Sequence, residues 1–331
     1  MRTDSKGIST AVAIIATAVI LVTAVGIYYV VSHNGDDDFV IEDEINTGVG
    51  THFDYNVSGI MSGKTLSGTY VMEIVGISSE NALRYVTYDI FIGEGSGKTP
   101  LNQSSEYDLM TPEVADGMDY KRTRTATLDT MDGKQKLNVY RSEESGAVSE
   151  MFVGSNGVPY RQTQGNASQG IDMVLDLSGY ELVGAEVKDD PSPVGNALEY
   201  SISVEDGGNI YEGSMSLGYV AYDDTGYWMM EYVTITGTSS VDYTHHDWSE
   251  GNDSGIYYTG AKEKIQTMDG ELITSVLRDR DGSTIYADQA SGIMYRMIVF
   301  YDGVKMTYDL TYYKVGDESG GSQGGGGPGL E

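Results

Sequence analysis

The sequence contains no cysteine, which excludes disulfide bonds, thiolate metal sites, cysteine nucleophiles and a lipid-modified N-terminal cysteine. Basic residues are scarce: the sequence has 20 Lys and Arg against 50 Asp and Glu, which gives a net charge of −30. Such an acidic surface repels nucleic acid and anionic lipid headgroups, so neither is expected as a partner. The chain has only four histidines, and nothing in the sequence supports a catalytic triad. We therefore predict a protein that is not an enzyme and carries no cofactor.

An uncharged apolar run occupies residues 8–31. As a helix that rises about 1.5 Å per residue, a run of this length crosses a bilayer. Arg2 and Lys6 precede it and an acidic stretch follows, and basic flanks stay in the cytoplasm. We predict one transmembrane helix at 8–31, a cytoplasmic N-terminus at 1–7 and an extracellular location for the rest of this single-pass protein.

The run begins with a short motif, Lys6-Gly7-Ile8, in which the apolar stretch directly follows the glycine. The motif resembles the class III signal of archaeal type IV pilins and archaellins, which a prepilin-type peptidase cuts after the glycine. The resemblance implies a processing site between Gly7 and Ile8, and a filament subunit as one function. Similar starts occur on archaeal membrane-tethered surface proteins that form no filaments, so an archaeal surface protein with a retained anchor is the other interpretation.

The part of the chain beyond the anchor repeats itself. The matching segments, in the same order in both copies, are 68–72 with 213–217, 85–87 with 232–234, 130–133 with 267–270, 157–161 with 292–296, and 176–180 with 309–313. Chance could produce one such match but hardly five in order. We predict two homologous domains, 47–184 and 195–316, joined by an extended, stiff Pro-containing linker at 185–194. An acidic stalk at 32–46 precedes them and a flexible Gly-rich tail at 317–331 follows.

Each copy shows the signals of antiparallel β-structure. Asp-Gly and Asn-Gly dipeptides, favoured in tight hairpins in which both residues take positive φ, begin at 132, 156, 269, 281 and 302. Segment 293–301 is apolar on both faces apart from Arg296, so we expect it to be central in its sheet and covered on both sides. The fold class is therefore all-β, and each copy is predicted to be a curled antiparallel sheet of about seven to nine strands.

The run 284–296, followed by an Asp-Gly turn and a closing strand, contains a strand that ends in Asp, a Gly-containing turn and a return strand. This pattern resembles the LolA/LppX-like superfamily of secreted half-barrels, which cradle lipid acyl chains on the concave face of a curved antiparallel sheet. The resemblance implies an apolar groove in each half-barrel-like domain. The 26 tyrosines and 15 methionines could line such a groove or fill the domain cores.

No metal site is predicted, and the candidate ligands are limited to His245, His246 and Asp247, where two histidines adjoin. In a strand, adjacent side chains point to opposite faces, so the two histidines could not share a metal there. A solvated loop explains the segment more simply. Candidate N-glycosylation acceptors, which would mark exposed loops, are Asn56, Asn102, Asn166 and Asn252.

The sequence thus predicts a membrane-anchored extracellular protein that serves as a non-enzymatic binding or structural module, with an apolar ligand held in a curved β-sheet. A pilin-like filament subunit, processed after Gly7, is the alternative. The expected partners are the membrane, through Ile8 to Val31, and an apolar ligand or an envelope protein.

Overall fold

The computed structural model describes residues 48–79, 81–110, 121–144, 146–184, 190–191, 193–248, 257–279, 282–288 and 290–315. The predicted anchor at 8–31 and the processing site at Gly7 and Ile8 lie outside the described residues, as do the stalk, the tail and Asn252. Within the described ranges, no helix has the length and the apolar character needed to cross a membrane.

The chain divides into two compact units after Lys188, inside the predicted linker 185–194. Pro191 O accepts a hydrogen bond from Val194 N at 2.8 Å, and Pro193 O accepts one from Asn196 N at 3.0 Å. Residues 185–189 and 192 lie outside the described residues, so the extended form of the linker stays a prediction.

The described residues form eighteen β-strands and one short 3-10 turn at Gly95–Gly97. In the first unit the strands are β1 His52–Met61, β2 Lys64–Ile77, β3 Ala82–Ile92, β4 Thr99–Met110, β5 Lys121–Thr130, β6 Gly133–Glu144, β7 Ala147–Val153, β8 Pro159–Asn166 and β9 Ile171–Glu181. In the second unit they are β10 Ala197–Asp206, β11 Asn209–Tyr222, β12 Gly226–Ile235, β13 Thr238–Asp247, β14 Tyr257–Thr267, β15 Gly270–Arg278, β16 Thr284–Ala287, β17 Met294–Tyr301 and β18 Val304–Lys314.

Each unit is a curled antiparallel sheet of nine strands. In the first unit the paired order is β4–β3–β2–β1–β9–β8–β7–β6–β5. In the second unit it is β13–β12–β11–β10–β18–β17–β16–β15–β14. The predicted all-β class with curled antiparallel sheets is confirmed. Because the two orders are the same, each strand of the first unit has a counterpart nine strands later.

Tight turns account for most of these hairpins, but not always in the predicted form. At Asp302 and Gly303 both φ values are positive, as expected, whereas at the two Thr-Met-Asp-Gly turns only the glycine has positive φ. There the Thr130 hydroxyl donates to Gly133 O at 2.9 Å and accepts from Asp132 N at 3.2 Å. The same two bonds form in the second unit. The threonine therefore closes these turns, and positive φ at the aspartate is not required.

The core of the first unit lies on one side of β1, β2, β3, β8 and β9, here called its inner face. Nineteen buried side chains form this cluster among the described residues. Tyr55 lies at its centre and donates a hydrogen bond from its hydroxyl to Pro159 O at 3.0 Å. Tyr200 is the counterpart in the second unit and donates to Met294 O at 3.2 Å. The second cluster is much smaller, with six buried members.

Two predictions of strand placement need correction. β17 is central, between β16 and β18, but Phe300 is 59% exposed, so the expected cover on both faces is wrong.

The ladders also set Met72 opposite Val86 and its counterpart Leu217 opposite Glu231. The matched Tyr-Val-Thr segments are therefore displaced by two residues in the structure, and Glu231 is the counterpart of Val86.

Candidate binding face of the second unit

The second unit has an inner face that is apolar yet open to solvent. This inner face is the side of β10, β11, β12, β17 and β18 that carries the core cluster. Near the turns that join β10 to β11 and β17 to β18, it holds a patch that we call the mouth. The mouth residues are Val204, Tyr211, Val299, Tyr301, Val304 and Met306.

Every mouth side chain is reached by solvent. Tyr301 is 74% exposed and Tyr211 is 39% exposed, and the other four are half-buried. The ladders place Asn166 and Leu66 at the corresponding positions of the first unit, where they are only 8% and 1% exposed. The two units share a strand order, but only the first seals this end of its inner face.

One row of side chains on the inner face is polar in the first unit and apolar in the second. In β8 this row consists of Gln162, Gln164 and Asn166, all of them buried. The corresponding row of β17 consists of Met297, Val299 and Tyr301, none of which is buried. Burying an amide costs free energy and leaving an apolar side chain in water forgoes the hydrophobic gain. The folding of the second unit alone does not explain its apolar row, and an exposed apolar patch of this kind marks a binding surface.

A difference in hairpin length explains why the mouth is open. In the first unit the hairpin of β3 and β4 continues outward, and Ile92 and Leu101 pack against the core. In the second unit the hairpin of β12 and β13 turns at Thr236 and Gly237, which take φ of 49° and 80°. This two-residue turn ends the hairpin before it can supply equivalents of Ile92 and Leu101. The mouth residues consequently lack their cover.

Two carboxylates lie on the inner face in the row of Leu217, which is six residues from the mouth residue Tyr211 along β11. Glu231 faces Leu217 on one side and Asp242 on the other, so all three side chains share the inner face. Glu231 is half-buried and Asp242 is exposed. Two like charges directly opposite each other across a ladder destabilise the sheet. In the first unit Val86, fully buried, takes the place of Glu231.

Tyr308 lies on the same inner face, in β18 opposite Ile202. Burial raises the pKa of Tyr308, and the negative charge of Glu231 raises it further. Its counterpart Leu175 is fully buried in the first core. The pair Glu231 and Tyr308 thus stands where the first unit has Val86 and Leu175.

The predicted metal candidates lie in β13 and do not converge. His245 packs edge-on against Trp228, with ring centroids 4.9 Å apart. His246 stacks on Tyr227 at 5.3 Å, so the two imidazoles lie on opposite faces of the strand, and Asp247 ends it. The expected solvated loop is therefore wrong, and within the described ranges no group of three His, Cys, Asp or Glu side chains could hold a metal.

Asp223 organises the face of β12 and β13 that carries His245. Its Oδ1 accepts hydrogen bonds from Thr225 N, Thr225 Oγ1 and Gly226 N at 2.6–2.9 Å. Its Oδ2 lies 3.2 Å from Trp228 Nε1 and 3.0 Å from His245 Nε2. His245 is therefore held as part of a structural network rather than presented to a ligand.

The described sequon asparagines lie in strands, so the prediction that they mark loops is wrong. Asn56 is exposed in β1, and Asn102 is half-buried in β4. Asn166 is buried in β8, and its Oδ1 accepts hydrogen bonds from Ser168 Oγ at 2.7 Å and Gln169 N at 3.3 Å. Of these three, only Asn56 presents an open side chain.

The segments that the two copies share most closely tie each sheet together. Tyr160 and Tyr180 donate hydrogen bonds from their hydroxyls to Asp132 Oδ2 at 2.6 and 2.8 Å. In the second unit Tyr295 donates to Asp269 Oδ2 at 2.9 Å. A small polar cleft of about 210 Å³ lies beside the first of these ties. The repeated motifs therefore fix the β5–β6 and β14–β15 hairpins, whereas the candidate binding face lies where the copies differ.

Neither a family model nor a curated protein matches the chain significantly. Among solved structures, MucB in complex with MucA(peri) is similar at a TM-score of 0.23 and 9% identity, over 80% of this chain and 89% of that one. The Pseudomonas aeruginosa MucA/MucB complex gives a TM-score of 0.25 and 8% identity, over 81% and 90%. A beta-barrel-like protein from Brucella abortus gives 0.13 and 10%, over 82% and 100%. At these TM-scores the likeness carries no argument about function.

Proposed function

We propose that the chain is a non-enzymatic binding module in which the second unit holds an apolar ligand on its inner face and the first unit is structural. One observation carries this proposal: the mouth is apolar and solvent-exposed at positions that the first unit buries. We further propose that the two units are copies of one ancestral domain. Their common strand order and their matching tyrosine–carbonyl bonds support this origin.

The proposal includes an anchor at 8–31 and an extracellular location for both units. The uncharged apolar run and its basic flank support this arrangement. Intact mass of the protein from native membranes tests it. A chain that starts at Met1 or Ile8 and stays with the membrane agrees with an anchor, and a chain that lacks 8–31 contradicts it.

The binding function is tested with octanol as an uncharged apolar probe. The full chain is placed in phosphatidylcholine nanodiscs, and octanol binding is measured by equilibrium dialysis. Binding to empty nanodiscs is subtracted. Because Tyr301 is the most exposed mouth residue, Tyr301→Ser should weaken octanol binding about fivefold, which corresponds to roughly 1 kcal/mol of lost apolar contact.

Phe300 offers a matched control, since it is the neighbouring aromatic residue, is also exposed, and lies on the opposite face of β17. Phe300→Ser should leave octanol binding unchanged. If both variants lose octanol binding equally, the mouth is not the site. If neither the parent nor the variants bind octanol saturably, the mouth is ruled out as well.

A further inference from the structure

Each sheet ends in two edge strands, β4 and β5 in the first unit and β13 and β14 in the second. An edge strand can pair with another extended chain, and proteins block such pairing with charged side chains, especially lysine, with proline and with bulges. The blocking residues are Pro100 in β4, Lys121 and Arg122 in β5, and Lys262 and Lys264 in β14. The ladders of these three strands also contain irregularities. Three of the four edges are therefore protected.

The fourth edge strand, β13, lacks these features. Between Thr238 and Asp247 it contains no Pro, Lys or Arg. All ten of its residues pair with β12 in one uninterrupted register, and among the described strands β12 is the only one with which it forms a ladder. Val241 is 46% exposed on one face, and Asp242 and Thr244 are exposed on the other. A regular edge that is accessible from both faces is a template for strand addition.

The side chains of β13 suit an antiparallel pairing of this strand with itself. Directly opposite residues share a face, so a two-fold axis perpendicular to the sheet passes through a residue. The two registers that pair most of the strand place this axis at Asp242 or at Tyr243. An axis at Asp242 sets two carboxylates directly opposite each other, which is destabilising, whereas an axis at Tyr243 pairs two aromatic rings, which is stabilising. The other pairs of the second register are Asp242 with Thr244, Val241 with His245, Ser240 with His246 and Ser239 with Asp247.

We propose that the second unit binds a second copy of the chain through β13, with Tyr243 of the two copies opposite each other. The two sheets then form one continuous sheet around a two-fold axis. A contact of this symmetry closes on itself, so it gives a dimer. The second copy is the occupant because, in this register, no two like charges face each other along residues 239–247. The mouth lies on other strands, so this inference does not rest on the proposed ligand.

The test uses introduced thiols, because the chain has no cysteine of its own. Full-length Tyr243→Cys is placed in phosphatidylcholine vesicles and oxidised with copper phenanthroline, and disulfide-linked dimers are measured on non-reducing gels. Opposite residues have Cα atoms about 4.5–5.5 Å apart, within the range of a disulfide. Val241→Cys is the matched control on the same face, because its two thiols would lie about 13 Å apart along the strand.

Tyr243→Cys should crosslink about tenfold faster than Val241→Cys, since only its thiols lie within bonding range. Equal rates would indicate random collision and overturn the proposal. A second measurement keeps Tyr243 in place, in case its replacement disturbs the strand. Chains with Asp242→Cys and chains with Thr244→Cys, mixed in one vesicle, should form mixed dimers faster than either forms dimers alone. A lack of this preference would overturn the register.

Charge at position 244 tests the register further. Thr244→Asp sets a carboxylate opposite Asp242 and should slow the crosslinking of Tyr243→Cys about fivefold, since the symmetry repeats the repulsive pair. Thr244→Lys should speed it. The matched controls Thr238→Asp and Thr238→Lys change the same residue type on the same face, outside residues 239–247, and should leave the rate unchanged. Equal effects at positions 238 and 244 would contradict the pairing.

The remaining outcomes concern another occupant. A peptide of residues 239–247 should slow the crosslinking of Tyr243→Cys, and a scrambled peptide of the same composition should not. If both peptides slow it equally, the edge accepts any extended chain, and the second copy is overturned as its specific occupant. A chain that fails to crosslink but still binds octanol overturns this inference and leaves the proposed function standing.

Discussion

The carboxylate of Asp223 shows how one residue fixes a turn and an aromatic cluster together. Burial acts to raise the pKa of Asp223, but hydrogen bonds from Thr225 and Gly226 and the charge of His245 more than offset it, so the pKa is lowered. A carboxyl group with a lowered pKa stabilises the fold above its unfolded pKa of about 3.9. That contribution is lost as the pH falls through the folded pKa.

Asp223→Ala should therefore lower the free energy of unfolding of the second unit by about 2 kcal/mol, since several donors lose their acceptor. It should also flatten the loss of stability that the parent shows below about pH 4. Urea unfolding followed by Trp fluorescence measures both effects, because Trp228 and Trp248 lie in this cluster. Asp224→Ala, at the exposed neighbour, is the control, and an equal loss there would contradict the role given to Asp223.

Single residues also mark the limit of what the sequence predicts. The alternation of side chains in a strand correctly predicts that His245 and His246 face apart. It cannot predict that Arg84 is buried beside Asp108, because that depends on which strand pairs with β3. Glu231 looks like any surface glutamate until the ladder sets it opposite Leu217 and assigns it the place of Val86.

At the scale of elements, the hairpin of β3 and β4 is the clearest difference between the units. It supplies Ile92 and Leu101 to the first core, whereas the hairpin of β12 and β13 closes in two residues. The sequence contains this difference as a drift in the spacing between matched segments. The drift alone does not tell which loop is longer or which surface it covers, because cover depends on how the sheet curls.

Replacing residues 91–101 with Thr-Gly should give the first unit the short hairpin of the second. Without Ile92 and Leu101, the ends of β2 and β9 next to this hairpin lose apolar cover on their inner face. Amide hydrogen exchange at these ends should therefore speed up. Octanol binding should gain little, because the uncovered end then presents the amides Gln164 and Asn166 of β8 beside Leu66 and Ile171. Hydrogen exchange with mass spectrometry and dialysis measure the two effects.

A matched variant shortens only the loop at 94–97 and keeps both apolar residues. It should exchange at the parent rate, since Glu94 to Gly97 are all exposed and contribute nothing to the core. Faster exchange in this variant as well would mean that loop length, rather than the apolar cover, protects the inner face.

At the scale of the whole molecule, the repeated segments predict two similar units, and the structure places the same nine-strand order in both. The sequence overestimates their likeness, however. The matched motifs are the segments that hydrogen-bond around Asp132 and Asp269, and they carry no information about the inner faces. Among the described residues of the first unit, the inner face is filled by packed tyrosines and aliphatic side chains, so these residues leave no room for the apolar groove expected in each sheet. In the part of the chain that the structure describes, the open inner face belongs to the second unit.

This asymmetry predicts two unfolding transitions, because hydrophobic stabilisation scales with the apolar area buried and the first cluster has nineteen buried members against six. The second unit should unfold at lower urea concentration. Both tryptophans of the chain belong to it, so Trp fluorescence should change before the main loss of far-UV circular dichroism. Leu175→Ala, in the first core, should lower only the later transition, by about 3 kcal/mol, and Asp223→Ala only the earlier one. Coincident transitions in all three proteins would show that the two sheets unfold as one cooperative body.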